Sequence, residues 1–271
     1  MRINESQASE RVARQTYRLA PLITLETDAQ LAILEIRNQT SIRDAMFTDQ
    51  LISVNEHLQW ISSLKRDRSK LAFALESTPG HPVGMVSLKN WERVHGTATW
   101  GYYVSETSRG KGLGTAMTCS FLDFAFDVLH LEKLNAEVIE KNQASIKHHQ
   151  TLGFENEGFR RSNVCKHGVR LGIHLFGMSK TDWNQKRQTV KERCKEIFER
   201  TEVTVFWAAD HSNLSPIDRI EEARARNNLN WMSILRLALE RSPATAKEIV
   251  SEIKKIDQEI SALTQEVIGK N

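Results

Sequence analysis

Polar residues dominate positions 1–15, which predicts a loose arm, and regular alternation of apolar and polar positions begins only after it. Residues 16–25 read as a strand. Thr27 and Asp28 offer a start for a helix whose apolar face carries Leu31, Ile33, Leu34 and Ile36. Ser53 and Glu56 have capping-box spacing ahead of Leu58, Ile61 and Leu64, so a second helix begins there. Residues 71–75 and 83–91 flank Thr78-Pro79-Gly80-His81-Pro82, which predicts an antiparallel hairpin. Residues 97–104, rich in aromatic and β-branched side chains, form the next strand. A glycine-rich turn follows, and then a helix with Leu113, Met117, Phe121, Phe124 and Val128 on one face. Residues 133–139 read as a strand, 144–152 as a short helix, and Gly153-Phe154 opens a last pair of strands reaching about 178. Cys165-Lys166-His167 falls at the turn between them.

The pattern changes near Trp183. Residues 203–209 keep a strand-like alternation, but Ser215-Pro216 and Ser242-Pro243 start two long helices, 216–240 and 243–268. In the second, Ile249, Ile253, Ile256, Ile260, Leu263 and Val267 form a heptad seam. The predicted organisation is an arm over 1–16, a mixed α/β domain over 17–185 and a small all-helical domain over 186–271. That last piece reads as an interaction or dimerisation module, with an appended carbohydrate-binding piece as the alternative.

The 271 residues carry 37 basic and 34 acidic side chains, a net charge of +3, which points to neither a nucleic acid nor a membrane surface as partner. The apolar runs are shorter than a membrane-spanning helix and the first residues lack the core of a signal peptide, so a cytoplasmic location is the default. Cys119, Cys165 and Cys194 match neither a disulfide framework nor a zinc pattern, and no metal is expected.

The richest chemistry lies in Ser108-Arg109-Gly110-Lys111-Gly112-Leu113-Gly114-Thr115. Three glycines before a helix leave backbone amides open, and the helix dipole with Arg109 and Lys111 makes the turn attractive to a phosphate or diphosphate. The spacing is neither the dinucleotide fingerprint nor a nucleoside-triphosphate loop.

These residues resemble the acetyl-CoA signature of the GNAT superfamily of N-acetyltransferases: arginine or glutamine, two residues, glycine, one residue, then glycine or alanine. Trp100-Gly101-Tyr102-Tyr103-Val104 resembles the family's central bulged strand, and Asn142-Gln143-Ala144-Ser145-Ile146 with Leu152-Gly153-Phe154 its later asparagine-to-Gly-Phe block. The resemblance covers residues 17–183 and implies the GNAT fold, a mixed and mainly antiparallel sheet flanked by helices. It implies acetyl-CoA held by Tyr103, Val104, Arg109, Gly110, Lys111, Gly112, Leu113, Gly114, Thr115, Asn142 and Ser145. Glu35-Ile36-Arg37-Asn38, Ile42-Arg43-Asp44-Ala45-Met46 and Glu56-His57-Leu58-Gln59-Trp60-Ile61 further resemble the N-acetyltransferases of pseudaminic-acid biosynthesis. That implies a UDP-linked amino sugar as acceptor, with Arg37, Asn38, Arg43, His57, Trp60 and Tyr102 on the substrate side. Protein N-termini or small amines are alternative acceptors, and a non-catalytic acyl-CoA-binding module is the alternative of another class.

Acetyl transfer to an amine needs a base for the amine, a donor polarising the thioester carbonyl and a proton for the thiolate. The resemblance implies direct transfer in a ternary complex, with a backbone amide near Tyr103 or Val104 polarising the carbonyl. It places Glu137 as the base, a salt-bridged surface glutamate being the plainer alternative. His149 stands where the family carries a tyrosine acid. It is either an imidazolium acid or a packing residue, and neighbouring His148 is expected at the surface.

Overall fold

The computed structural model describes residues 14–207. Of the arm expected over 1–16, residues 1–13 lie outside the described residues, as do the two long helices beyond 207, while Gln15 and Thr16 already belong to the first strand. Eight strands form one sheet: β1 (Gln15–Pro21), β2 (Leu71–Thr78), β3 (His81–Glu92), β4 (Thr97–Val104), β5 (Lys133–Ile139), β6 (Glu155–Lys166), β7 (Val169–Ser179) and β8 (Thr201–Val205), in the order β6-β7-β5-β4-β3-β2-β1-β8. Every pairing is antiparallel except β4 with β5 and β1 with β8.

Helices α1 (Thr27–Arg37), α2 (Thr40–Ala45) and α3 (Val54–Leu64) cover one face. The capping box of α3 forms as its sequence predicts: the Glu56 amide donates to Ser53 Oγ, and the Ser53 amide donates back to Glu56 Oε2 at 2.8 Å. Helices α4 (Leu113–Asp123), α5 (Gln143–Leu152) and α6 (Lys180–Arg193) cover the other face. Strand periodicity divides the core between them. Phe73, Leu75, Val86, Leu88, Trp100, Leu134, Ala136, Phe176 and Met178 point to α4–α6, whereas Ala72, Ala74, Met85 and Tyr103 point to α1–α3.

The segment after Trp183 departs from the expected border. Trp183 is fully buried and donates to Asp123 Oδ1 at 2.9 Å, which anchors α6 on α4. Helix α7 (Lys195–Arg200) then leads into β8, which extends the sheet beside β1 from Gln15↔Thr201 to Leu19↔Val205. Trp207 lies against Phe73 and Phe124. Residues 186–207 therefore pack with the larger domain, because Phe198, Val203, Val205 and Trp207 find apolar cover on it.

Candidate functional site

Strands β4 and β5 pair only at Thr97↔Lys133, Ala98↔Leu134 and Thr99↔Asn135. Beyond Thr99 they part while β4 stays paired to β3 as far as Val104 and β5 to β7 as far as Ile139. The parting opens a cleft whose two facing backbone edges lack each other as partners, and unpaired backbone in such a place is an offer to a ligand. The glycine turn lies just past the end of β4.

Gly110 and Gly112 both sit at φ +77, the left-handed region that glycine enters without penalty. Gly112 is the N-cap of α4 and has no side chain to satisfy the first turn, so the Leu113 and Gly114 amides stay open at the positive end of the helix dipole. A Cβ on Gly112 would lie 2.6 Å from Ile197 Cγ1, so α7 packs directly against this turn. Arg109 and Lys111 are exposed beside it, with Arg109 Nε donating to the Val104 carbonyl at 3.4 Å, and Thr115 completes the first turn by donating its amide to Gly112 O at 2.9 Å.

Across the cleft, Asn142 caps α5 by accepting from the Ser145 amide at 3.1 Å. His149 is buried among Trp100, Phe154 and Phe176. Its Nδ1 lies 2.8 Å from the Ser145 carbonyl, which can only accept, so Nδ1 carries the proton and Nε2 is a bare acceptor without a partner. Burial lowers its pKa to about 4. At neutral pH the ring is uncharged, and the imidazolium-acid reading of His149 meets an environment that opposes it. Tyr102 Oη is likewise shielded beside Ser145, without a hydrogen bond of good geometry. Burial raises its pKa, so the phenol keeps its proton and can donate. His148 is not at the surface as expected: it is half-buried, its Nε2 lies 3.0 Å from Thr118 Oγ1 on α4, and burial lowers it too to about 4.

On the α1–α3 face, Glu137 of β5 accepts from Arg160 at 2.9 Å and lies 3.7 Å from Lys89 Nζ, with Phe47 over the lysine. Tyr103 closes this face next to Arg37. The other residues of the substrate-side group are occupied. The Asn38 amide exchanges two hydrogen bonds with the Ile52 backbone, Arg43 donates to the Asn38 and Asp49 carbonyls, and His57 Nε2 meets the Gln30 carbonyl at 2.9 Å while its ring packs on Trp60. They hold the α1–α3 layer together.

A feature that sequence reasoning missed completes this face. Lys166, at the end of β6, donates three bonds of 2.8 Å to the carbonyls of Arg43, Asp44 and Met46, and neighbouring His167 pairs with Asp49. The β6–β7 hairpin is thereby fastened to the C-terminal end of α2, where the lysine cation meets the negative end of the helix dipole. The only local signal was a lysine beside a turn. Among the described residues there is no cluster of three or more potential metal ligands and no helix long and apolar enough to cross a membrane.

Residues 18–155 match the family model described as acetyltransferase (GNAT) domain. The chain is 30% identical over 133 residues to the prophage-derived N-acetyltransferase YokL of Bacillus subtilis, covering 48% of this chain and 73% of that protein. It is 28% identical to the spermidine N(1)-acetyltransferase of Escherichia coli, over 49% of this chain and 72% of that one. The crystal structure of spermidine N-acetyltransferase from Vibrio cholerae in complex with CoA and spermine shares the fold. The TM-score is 0.58 at 20% identity, over 62% of this chain and 98% of that one.

Proposed function

The chain belongs to the GNAT family of acetyltransferases, and from that premise we propose that it acetylates the amino group of a small acceptor bound on the α1–α3 side of the cleft. It is an acetyl-CoA-dependent N-acetyltransferase. The observation that carries the reading is the parting of β4 from β5 beside the open glycine turn. The residues fit the cofactor: free first-turn amides and two cations suit its diphosphate. Acetyl-CoA, when bound, supplies the acetyl thioester.

Glu137 takes the proton from the acceptor amine, and Arg160 and Lys89 hold its carboxylate in place for that task. Backbone near Tyr103 and Val104, where β4 has lost its neighbour, polarises the carbonyl. Transfer is direct. Cys119 is buried and its thiol pushed up to about 12 by burial and by Cys194, which makes it a poor nucleophile. With His149 neutral, Tyr102, whose phenol keeps its proton, would be the side-chain donor for the thiolate, and water would supply the proton.

A nucleotide-linked sugar is a weaker acceptor reading. Asn38, Arg43 and His57, which would recognise it, are spent on the backbone, and of the relatives whose names state an acceptor one takes spermidine and another an L-amino acid. The test is a titration with acetyl-CoA followed by a CoA-release assay over a panel of amines. Binding with turnover supports the reading, whereas binding without turnover on any amine favours a non-catalytic acyl-CoA-binding module.

A further inference from the structure

Arg37 ends α1 half-buried, with Nη1 shut off from solvent and without a hydrogen-bond partner. Among the described residues no carboxylate pairs with it; its charged neighbour is Arg43 and its aromatic neighbour is Tyr103. Three cations meet here. Arg43 is absorbed by the carbonyls of Asn38 and Asp49, and Lys166 by those of Arg43, Asp44 and Met46. Arg37 is the one left over.

A guanidinium stays charged even where burial lowers its pKa, as it does here. A cation held half out of water without a partner is costly, and fold stability alone gives no reason to keep it. Its place gives one. Arg37 stands beside Tyr103, the last inward-facing residue of β4 before Val104, where the cleft opens. Along the same face lie Lys89 and Arg160 with Glu137 between them, while Asp44 and Asp49 lie by Lys166. A polyamine entering this groove meets Arg37, Lys89 and Arg160, while Glu137 is already held by the latter two and Asp49 by Lys166 and His167.

We propose that the acceptor is an amine carrying an anionic group, a carboxylate or a phosphate, and that Arg37 binds that anion. This deepens the acetyltransferase reading and rests on it. The anion satisfies Nη1, neutralises the leftover charge and fixes the amine on the Glu137 side of the cleft. A planar guanidinium suits the task because it can grip either oxyanion with two parallel N–H donors.

Matched acceptor pairs test this: L-phenylalanine against L-phenylalaninamide, and glucosamine 6-phosphate against glucosamine, with spermidine as the cationic arm. In the intact protein the anionic member of one pair exceeds its neutral twin by roughly tenfold to a hundredfold in kcat/KM, and the pair that does so identifies the anion. Arg37→Gln removes that preference chiefly through KM, and Arg37→Lys, which keeps the charge but not the fork, retains part of it. Calorimetry with acetyl-CoA shows that both variants remain folded and bind the cofactor. Equal use of the twins, spermidine as the better acceptor, or a preference that survives Arg37→Gln overturns the assignment while leaving the acetyltransferase reading intact. Cofactor binding without acetylation of any arm overturns both.

Discussion

Gly112 joins the cofactor turn to the segment after α6, so replacing it with alanine tests both at once. The residue sits at φ +77, where an L side chain costs roughly 1–2 kcal/mol. The new Cβ would stand 2.6, 2.8 and 2.9 Å from Cγ1, Cδ1 and Cγ2 of Ile197, inside ordinary contact, and overpacking of that kind costs about 1–3 kcal/mol. Gly112→Ala should therefore destabilise the protein by about 2–5 kcal/mol. At roughly 2–4 °C per kcal/mol for a domain of this size, melting falls by roughly 4–20 °C. Trimming the neighbour separates the two causes. In a thermal double-mutant cycle, Ile197→Ala relieves the steric part and leaves the backbone part, which predicts a coupling of about 1–3 kcal/mol between the sites. Additive effects, within about 0.5 kcal/mol, would refute the placement of α7 against the turn. A neutral Gly112→Ala would refute the left-handed cap as well.

Three further outcomes follow from the geometry. Lys166→Met leaves three carbonyls at the end of α2 without their cation and should cost on the order of 2–4 kcal/mol in urea unfolding; a loss below about 0.5 kcal/mol means that the hairpin is not fastened there. His149 has its folded pKa lowered from 6.5 to about 4, so the unfolded chain binds the extra proton between those values and stability falls as pH drops through that window. The loss is on the order of 3 kcal/mol for His149, and because His148 adds its own contribution over the same window, His149→Phe should remove roughly half of the pH dependence of urea midpoints; an unchanged slope rules out the buried neutral ring. Glu137→Gln should lower kcat by roughly 10²–10⁴ at neutral pH with acetyl-CoA affinity kept, and unaltered kcat removes it as the base.

Local features were readable from the chain alone. The Ser53–Glu56 box, the bounds of β4 and β5 and the glycine turn each depend on residues a few positions apart, so spacing and side-chain type were enough to find them. What escaped depends on distant pairs. No periodicity announces that Lys166 will reach back to α2, or that 201–205 will extend the sheet beside β1 when its own neighbours read as a tail. His148 was misjudged for the same reason: its helix is polar on average, but Thr118 and Tyr102 arrive from elsewhere to cover it. Arg37 and Glu137 were legible as polar residues of the right block. That one lacks a partner and the other lies between two cations became visible only with strands β3, β4 and β6 in place around them.

The proposed function rests on direct transfer of an acetyl group from acetyl-CoA to an amine nitrogen. Incubation with acetyl-CoA labelled in the acetyl group, followed by mass spectrometry of the quenched mixture, tests it most directly. Equal amounts of free CoA and N-acetylated amine are expected, with no label on the protein. Free CoA without acetylated amine, or label retained on a protein side chain, would contradict it.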